Sequence, residues 1–324
     1  METYERAGLR FRPATPDDAA FVADCLTAIR PQAPVDALVL RHEWANPDPT
    51  WTNERYVVER AGARIGWAGI DHPRWELSAE RFAGLWGDLQ PSERSAERLD
   101  QVFAFMEERA AAAGAARLVT RSNEDDEFRS GVILARGFRE DRRARRWELD
   151  LVAERERILK MTEDCRARMR DAGIRLTTLA ADGDPERYRQ IWHMSDEAAQ
   201  DIPTTLPHVP ESFESYAAWF RSPDIHEDRF WIARLDGALV GVSVLAYPPV
   251  RGVVGTAWTA TARSVRGRGV ARALKCETLA QAIALGVDRV RTGNDAANDP
   301  ILHINRTMGY RPIAGAIGYL KDVS

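Results

Sequence analysis

The sequence predicts an α+β fold, an α/β sandwich, that is built twice along the chain. Predicted elements repeat in the same order in both halves: strand, helix, hairpin, strand, long helix, strand, short helix ending in glycine, and strand. Two pairs of segments also align at similar offsets, AAGAARLVTRSN with ALGVDRVRTGN and ILARGFRE with INRTMGYRP. Such self-similarity indicates an internal duplication. We therefore expect domains at 1–152 and 173–324, joined by a charged, solvated linking helix at 153–172.

Helix caps and turn residues support the individual elements. Thr15 precedes Pro16, Asp17 and Asp18, which suits a helix start because acids are stabilised at the positive end of the dipole. In the first half we predict a strand at 9–15, a hairpin at 54–70, a long helix at 96–113 stopped by Gly114, the strand ARLVTRS, a short helix ending at Gly137 and the strand RARRWELDL.

The second half gives the clearer pattern. Asp236-Gly237 is a strong hairpin turn signal within 228–247. Apolar residues recur every three or four positions at 270–285, which predicts a helix ended by Gly286. The other predicted elements are the strand 173–179, the strand GVVGTAWTAT, the strand DRVRTGN, the short helix PILHINRTM stopped by Gly309, and the strand YRPIAGAIGYL.

Composition excludes several classes of function. The 324 residues carry 45 basic and 49 acidic side chains, a net charge of −4, which gives no support to bulk nucleic-acid or membrane binding. The N-terminus has no apolar signal-peptide core. Cys25, Cys165 and Cys276 have no metal-binding spacing and are expected to be structural thiols in a reducing compartment. We expect a cytoplasmic protein without a metal.

A glycine- and arginine-rich loop precedes the helix at 270–285. Arg266-Gly267-Arg268-Gly269 leads directly into Val270, so the free first-turn amides of the helix lie beside the loop. These amides and the helix dipole favour an anion. Glycines let the backbone approach a phosphate closely. Nearby cations are expected to add positive charge: Arg266, Arg268, Arg272 and Lys275. The loop therefore suits a pyrophosphate.

The same loop resembles the acetyl-CoA signature of the GCN5-related N-acetyltransferases (GNAT). That signature is Arg or Gln, two residues, Gly, one residue, and Gly or Ala, here matched by Arg266, Gly269 and Ala271. In the family an Asn opens the helix after the fifth strand, eleven residues before a Gly-aromatic pair, as Asn298 stands before Gly309-Tyr310. The resemblance covers 174–320 well and 9–151 in outline. Tandem pairs of this kind are similar to the two-domain acetyltransferases that include mycothiol synthase.

The resemblance implies a fold, a co-substrate and a reaction. Each domain would be a mixed, mostly antiparallel sheet flanked by helices. An amine would attack the thioester of acetyl-CoA directly in a ternary complex, with no acyl-enzyme and no metal. Backbone amides of the strand before the loop would bind the acyl oxygen and pantetheine. The implied cofactor-binding residues are Thr259, Ala260, Thr261, Arg266, Gly267, Arg268, Gly269, Val270, Ala271, Arg272, Asn294, Asn298 and Asn305.

The catalytic residues depart from the family pattern. Many members carry a Tyr seven residues after the opening Asn as general acid to the leaving thiolate, and this chain has Asn305 there. An amide does not donate a proton in that way, although it can hydrogen-bond the sulfur. Tyr310 is a possible substitute, or a core aromatic. Asp196 or Glu197 is a possible general base, or part of a solvated helix face. We expect His208 and His303 to be ordinary hydrogen-bonded histidines.

The first half lacks the features that phosphate needs. Arg94 aligns with Arg266, but Glu97 stands in the place of Gly269 and Asp126 in that of Asn298. A carboxylate desolvated beside a pyrophosphate is costly. The first half is thus expected to keep the fold without binding acetyl-CoA. Five tryptophans there suit either core packing or an acceptor pocket at the domain boundary: Trp44, Trp51, Trp67, Trp75 and Trp86.

Three functions remain open from sequence. The first is acetyl transfer to a primary amine of a small molecule, by a monomer in which the domains form a pseudo-dimer or by a homodimer. The second is a non-catalytic acyl-CoA sensor or interaction protein, which the absent Tyr and the degenerate first half favour. The third is peptide or protein N-acetylation, which differs only in the acceptor. Acceptor loops vary within a fold, so the sequence does not choose the acceptor.

Overall fold

The computed structural model describes residues 2–323, and these contain thirteen strands and nine α-helices. The strands are β1 Tyr4–Arg6, β2 Leu9–Pro13, β3 Trp51–Arg60, β4 Ala63–Pro73, β5 Phe82–Leu89, β6 Arg117–Asn123, β7 Arg139–Asp150, β8 Ile174–Thr178, β9 Phe230–Leu235, β10 Ala238–Ala246, β11 Gly255–Thr261, β12 Arg289–Asp295 and β13 Arg311–Asp322. The helices are α1 Ala19–Ile29, α2 Ala37–Ala45, α3 Ala96–Ala112, α4 Glu127–Ala135, α5 Arg155–Asp171, α6 Arg187–Ala199, α7 Phe213–Trp219, α8 Val270–Ala284 and α9 Asp299–Met308.

All the described strands belong to one mixed sheet. Its order is β1-β2-β3-β4-β5-β6-β13-β7-β12-β11-β10-β9-β8. Neighbouring strands are antiparallel except for two parallel pairs, β5 with β6 and β11 with β12. The α+β class and the mostly antiparallel sheets flanked by helices are therefore confirmed.

The two halves exchange their last strands. Strand β13, from the end of the chain, lies between β6 and β7 of the first half. Strand β7 in turn pairs along its length with β12 of the second half. The exchanged strands also carry core side chains across: Ile317 and Tyr319 pack in the core of the first half, and Trp147 and Leu149 in that of the second. Neither half completes its sheet alone, a feature that the sequence patterns did not indicate.

Helix α5 is only partly solvated. Its described residues Ile158, Thr162, Cys165 and Met169 are buried, and this face packs against α8. The Sγ atoms of Cys165 and Cys276 are 3.9 Å apart, and Arg166 pairs with Glu277 at 2.7 Å. The expectation of a solvated linking helix is wrong for this face, because its apolar residues follow helical spacing.

Helix α2, which we did not predict, connects the halves. Asp36 caps it by accepting from the backbone N–H of Leu38 at 2.8 Å. The same carboxylate accepts from the N–H of Val250, at 2.8 Å, in the second half. His42 lies with Nε2 2.9 Å from the carbonyl oxygen of Ala218 on α7. These contacts hold α2 of the first half against the second half.

Candidate active site

The loop between β11 and α8 forms an open anion cradle. Gly267 and Gly269 have φ values of 75° and 87°, in the left-handed region that favours glycine. No heavy atom lies within 4 Å of a Cβ built on Gly267. Gly269 is the N-cap of α8, and no side chain of the described residues caps this helix. The first-turn amides of Val270, Ala271 and Arg272 are thus available to an anion.

The cations around the cradle differ in their environment. Arg266 pairs with Asp201 at 2.7 Å, and Arg263 pairs with the same carboxylate at 2.7 Å. Hydrogen bonds from Arg263, which has the larger effect, and from Arg266 lower the pKa of Asp201. Arg168 of α5 reaches the cradle, since its Nη2 atom is 3.5 Å from a Cβ built on Gly269. Arg168 was missed because it is distant in sequence and lies on the presumed linker.

Two further cations lie on or beside the predicted loop, and a third belongs to the core. Arg268 is exposed, and Arg272 of α8 donates to the hydroxyl of Thr307 on α9 at 3.3 Å. Lys275 is only 2% exposed, so the expectation that it adds charge around the loop is wrong. Its Nζ lies 3.4 Å from the hydroxyl of Thr256. Burial lowers the pKa of Lys275 to about 8.

Strands β11 and β12 part immediately after they meet. Their parallel pairing is confined to Gly255 with Arg291. On its other edge β11 pairs with β10, and the register shifts so that Ala257 is an extra residue, a β-bulge. Beyond it lie Thr259, Ala260 and Thr261, the residues expected to face the co-substrate. The edge of β11 that faces β12 therefore borders a gap between strands.

Polar side chains of β12 and α9 meet beside this gap. Asn305 is fully buried, and its Nδ2 donates to Oδ1 of Asn294 at 2.8 Å. The Oδ1 atom of Asn305 is buried and has no hydrogen-bond partner within residues 2–323. Asn298 opens α9, but its side chain makes no capping bond. Tyr310 is buried, and desolvation raises the pKa of its phenol.

A cavity of about 640 Å³ adjoins β11. It lies between α2 of the first half and α6, α7 and β11 of the second, and it reaches Ala257 and Trp258. Trp258 donates from Nε1 to the hydroxyl of Ser195 at 3.0 Å. The cavity thus begins at the bulged strand and extends toward the first half.

Asp196 and Glu197 point to different places. Asp196 lines the cavity, where its Oδ1 lies 2.8 Å from Nε2 of His208. Glu197 instead accepts from the backbone N–H of Arg263 at 3.2 Å, on the side of the loop. His208 is hydrogen-bonded, as we expected, and its partner within the cavity is the Asp196 carboxylate. A lone histidine in a loop gave no sequence signal for this pairing.

In the first half, the corresponding loop is filled by its own side chains. Arg94 binds both oxygens of Asp88 at 3.0 Å and Asp126 at 2.6 Å. The Ser95 hydroxyl caps α3 by accepting from the N–H of Arg98 at 3.2 Å. The arginine that aligns with Arg266 is therefore neutralised, and the helix start is capped.

The gap between β5 and β6 is also bridged. These strands pair at three positions, against one in the second half. Beyond the pairs, Arg129 of α4 donates to the carbonyl oxygen of Gly87 on β5 and, at 3.0 Å, to that of Arg121 on β6. The guanidinium, which is 7% exposed, occupies the space between the strands.

Comparisons with known proteins agree with this geometry. Residues 191–310 match the model of the acetyltransferase (GNAT) family. A tandem GNAT protein from the clavulanic acid biosynthesis pathway is 18% identical, with a TM-score of 0.73 over 97% of this chain and 98% of that one. A GCN5-related N-acetyltransferase from Sphaerobacter thermophilus is 17% identical, with a TM-score of 0.68 over 98% and 97%. A GNAT-family acetyltransferase from Colwellia psychrerythraea is 10% identical, with a TM-score of 0.59 over 96% and 98%.

Fold and motif together define the class. At these identities the structural likeness shows the fold, and the family match falls on the half with the open loop. Residues 191–310 form a domain of the GNAT family, and the chain as a whole has the fold of tandem GNAT proteins. By class it is an acyl-CoA N-acyltransferase. A search of curated proteins finds no match to the chain. The similarity to mycothiol synthase remains a prediction.

Two features are absent from residues 2–323. None of the helices there has the length and apolar character needed to cross a membrane. Three or more metal-ligating side chains do not come together anywhere in the same residues.

Proposed function

We propose that the chain transfers an acetyl group from acetyl-CoA to a primary amine of a small molecule, with the active site in residues 173–324. The observation that carries this proposal is that three features lie along β11: the cradle at Gly267 and Gly269 after its end, the gap at its edge, and the cavity at Ala257 and Trp258. With the pyrophosphate bound at the cradle and the acceptor bound in the cavity, the thioester would lie at the β-bulge.

The residues fit an acyl-CoA. The amides of Val270, Ala271 and Arg272 would hold the pyrophosphate, with Arg168 and Arg268 as nearby cations. Asn298, at the start of α9, is retained as a proposed cofactor contact. The unpartnered Oδ1 of Asn305 supports a contact there, because a buried acceptor without a donor is costly. Acetyl-CoA supplies the activated thioester, and the protein supplies orientation and hydrogen-bond donors.

The amine nitrogen would form a bond to the acyl carbon as the carbon–sulfur bond breaks. Backbone N–H groups of Thr259 to Thr261 would stabilise the developing oxyanion. The proton of the attacking amine would pass to Asp196, or from Asp196 to its hydrogen-bond partner His208. The CoA thiolate would leave without protonation by a tyrosine. Glu197 is a weaker base candidate because it holds Arg263. Tyr310 is also a weaker acid candidate, because its buried phenol packs in the core.

A thiol-release assay with acetyl-CoA and a panel of primary amines tests this proposal. We expect turnover that Gly269→Glu abolishes and that Glu97→Gln, at the aligned position of the first half, leaves unchanged. Tight binding of CoA without turnover on any amine would instead favour the sensor function.

A further inference from the structure

We infer that the acceptor is an extended polyamine and that the first half binds its remote ammonium group at Glu43. This inference rests on the proposed function, because it assigns the substrate class of the same site. One amine would react beside Trp258, and a second cationic group of the same molecule would lie at helix α2.

The space for such a molecule continues from one half into the other. Beside the cavity of about 640 Å³ lie two more, of about 310 and 240 Å³. Glu43 lies in the wall of all three, and Asp71 is shared by the smaller two. The series runs from Trp258 on β11 to Trp86 on β5. Such a shape fits a long, narrow ligand better than a compact one.

The charge of these walls is strongly one-sided. Arg55 is the one lysine or arginine among the lining residues, although Asp196 is paired with His208 and Glu54 is paired with Arg109 of α3 at 3.0 Å. The carboxylates number seven: Glu43, Asp48, Glu54, Asp71, Asp196, Glu211 and Asp224. Concave, low-dielectric walls of one sign concentrate the opposite charge. In a chain of net charge −4, this clustering favours a ligand with several positive charges.

Glu43 is placed to bind one of those charges. No hydrogen bond or ion pair holds its carboxylate within residues 2–323, and it remains accessible because it faces the cavities. Desolvation by the surrounding protein raises the pKa of Glu43. The charge of Arg55 opposes this rise, and the charges of Asp71 and Asp224 add to it. Arg55 itself lies over the Trp44 ring, 5.3 Å from its centroid. A bound ammonium would favour the ionised form of Glu43.

Aromatic rings provide an independent observation for the same ligand. Trp192, Trp219 and Trp258 line the large cavity, and Trp44, Trp67 and Trp86 line the next. Rings of this kind bind ammonium groups on their faces and methylene chains by apolar contact. A polyamine alternates the cationic and methylene groups that this lining suits.

The test compares a linear triamine, spermidine, with a monoamine, n-butylamine, in the full-length protein. We expect kcat/KM for spermidine to exceed that for butylamine by about tenfold or more. Glu43→Gln should raise KM for spermidine by about tenfold without changing the kinetics of butylamine. Glu163→Gln, an exposed acid on α5, is the matched control and should change neither substrate.

The kinetics of the two amines can also overturn the polyamine inference. Equal kinetics for the two amines, or an equal effect of Glu43→Gln on both, would overturn the inference and leave the proposed function standing. If no amine is acetylated, the proposed function fails, and calorimetry with spermidine then tests the inference alone. Binding that weakens about tenfold in Glu43→Gln would support it. Absent binding, or binding unchanged in that variant, would reject it.

Discussion

The two halves of the chain share one fold but differ in three places around the proposed co-substrate site. At the helix start, α8 begins at an open glycine cradle, whereas Ser95 caps α3. Arg94 is held by two carboxylates, and the aligned Arg266 by one, Asp201. At the strand gap, β11 and β12 part after one pair, whereas the guanidinium of Arg129 bridges β5 and β6. The first half retains its architecture while its own side chains occupy the places that a cofactor needs.

The third difference lies in the core behind the gap. Gly137 and Gly309 are 172 residues apart, and at this offset Phe103, Ile133 and Phe138 stand where the second half has Lys275, Asn305 and Tyr310. All six are buried. The first half thus has an ordinary apolar core, whereas the second keeps polar groups that cost stability. Polar groups of this kind agree with the active site that we propose in the second half.

The largest effect is expected when the halves are separated. A chain of residues 1–152 lacks β13, the neighbour of both β6 and β7, and also β12, the other neighbour of β7, so it exposes three unpaired strand edges. We expect this fragment to show no cooperative thermal unfolding by circular dichroism. Co-expression with residues 153–324 should restore a complex. A fragment that unfolds cooperatively by itself would show that strand exchange is dispensable.

Removal of the first-half bridge should destabilise the protein. Arg129→Ala leaves the carbonyl groups of Gly87 and Arg121 without their buried partner and removes one of the two arginines that bind the Asp88 carboxylate. The expected loss is about 3–5 kcal/mol in the free energy of unfolding by urea. Arg139→Ala removes a surface pair with Asp322 and should change this free energy by about 0.5 kcal/mol or less. Equal effects would contradict a bridging role.

Replacement of the buried Lys275 in the second half should instead raise the free energy of unfolding. The pKa of Lys275 falls from 10.5 to about 8, so the folded state disfavours the charged form. The contribution of Lys275 to the free energy of unfolding is therefore lowest below pH 8 and rises as the pH increases toward 10.5. Lys275→Met should stabilise the protein by about 3 kcal/mol at pH 7 and remove this rise. Destabilisation at pH 7 would show that the ammonium is held by contacts stronger than that to Thr256.

A smaller effect is expected at Asn305. Asn305→Ala removes the partner of Asn294 and the buried acceptor beside the gap. We expect kcat to fall about tenfold, the equivalent of about 1.4 kcal/mol, in the thiol-release assay. Ile133→Ala, at the aligned position, should lower stability through a cavity but leave kcat unchanged. An unchanged kcat in Asn305→Ala would remove this residue from the proposed site.

Sequence patterns predicted local structure better than they predicted assembly. The helix predicted from AAFVADCLTAI is Ala19–Ile29, and that predicted at 270–285 is Val270–Ala284, because caps and apolar spacing act locally. Strand exchange was missed because β7 and β13 read as ordinary last strands in either arrangement. Helices α2 and α7 were missed as well, although α2 forms part of the cavity wall.

The residues of the site show the same contrast between local pattern and tertiary assembly. Gly267 and Gly269 were found from sequence, because left-handed backbone at a helix start needs glycine. Arg168, His208 and Glu43 were not, because tertiary packing alone brings them to the loop and the cavity. Lys275 was misplaced because helical periodicity did not show that its face points into the core.

The number of acetyl-CoA molecules bound by one full-length chain tests the central claim most directly. Isothermal titration calorimetry should give one site per chain. Gly269→Glu should weaken binding on the order of 100-fold, through a carboxylate beside phosphate and a side chain at positive φ. Glu97→Gly should leave both stoichiometry and affinity unchanged. Two sites per chain, or one site that survives Gly269→Glu, would contradict the account.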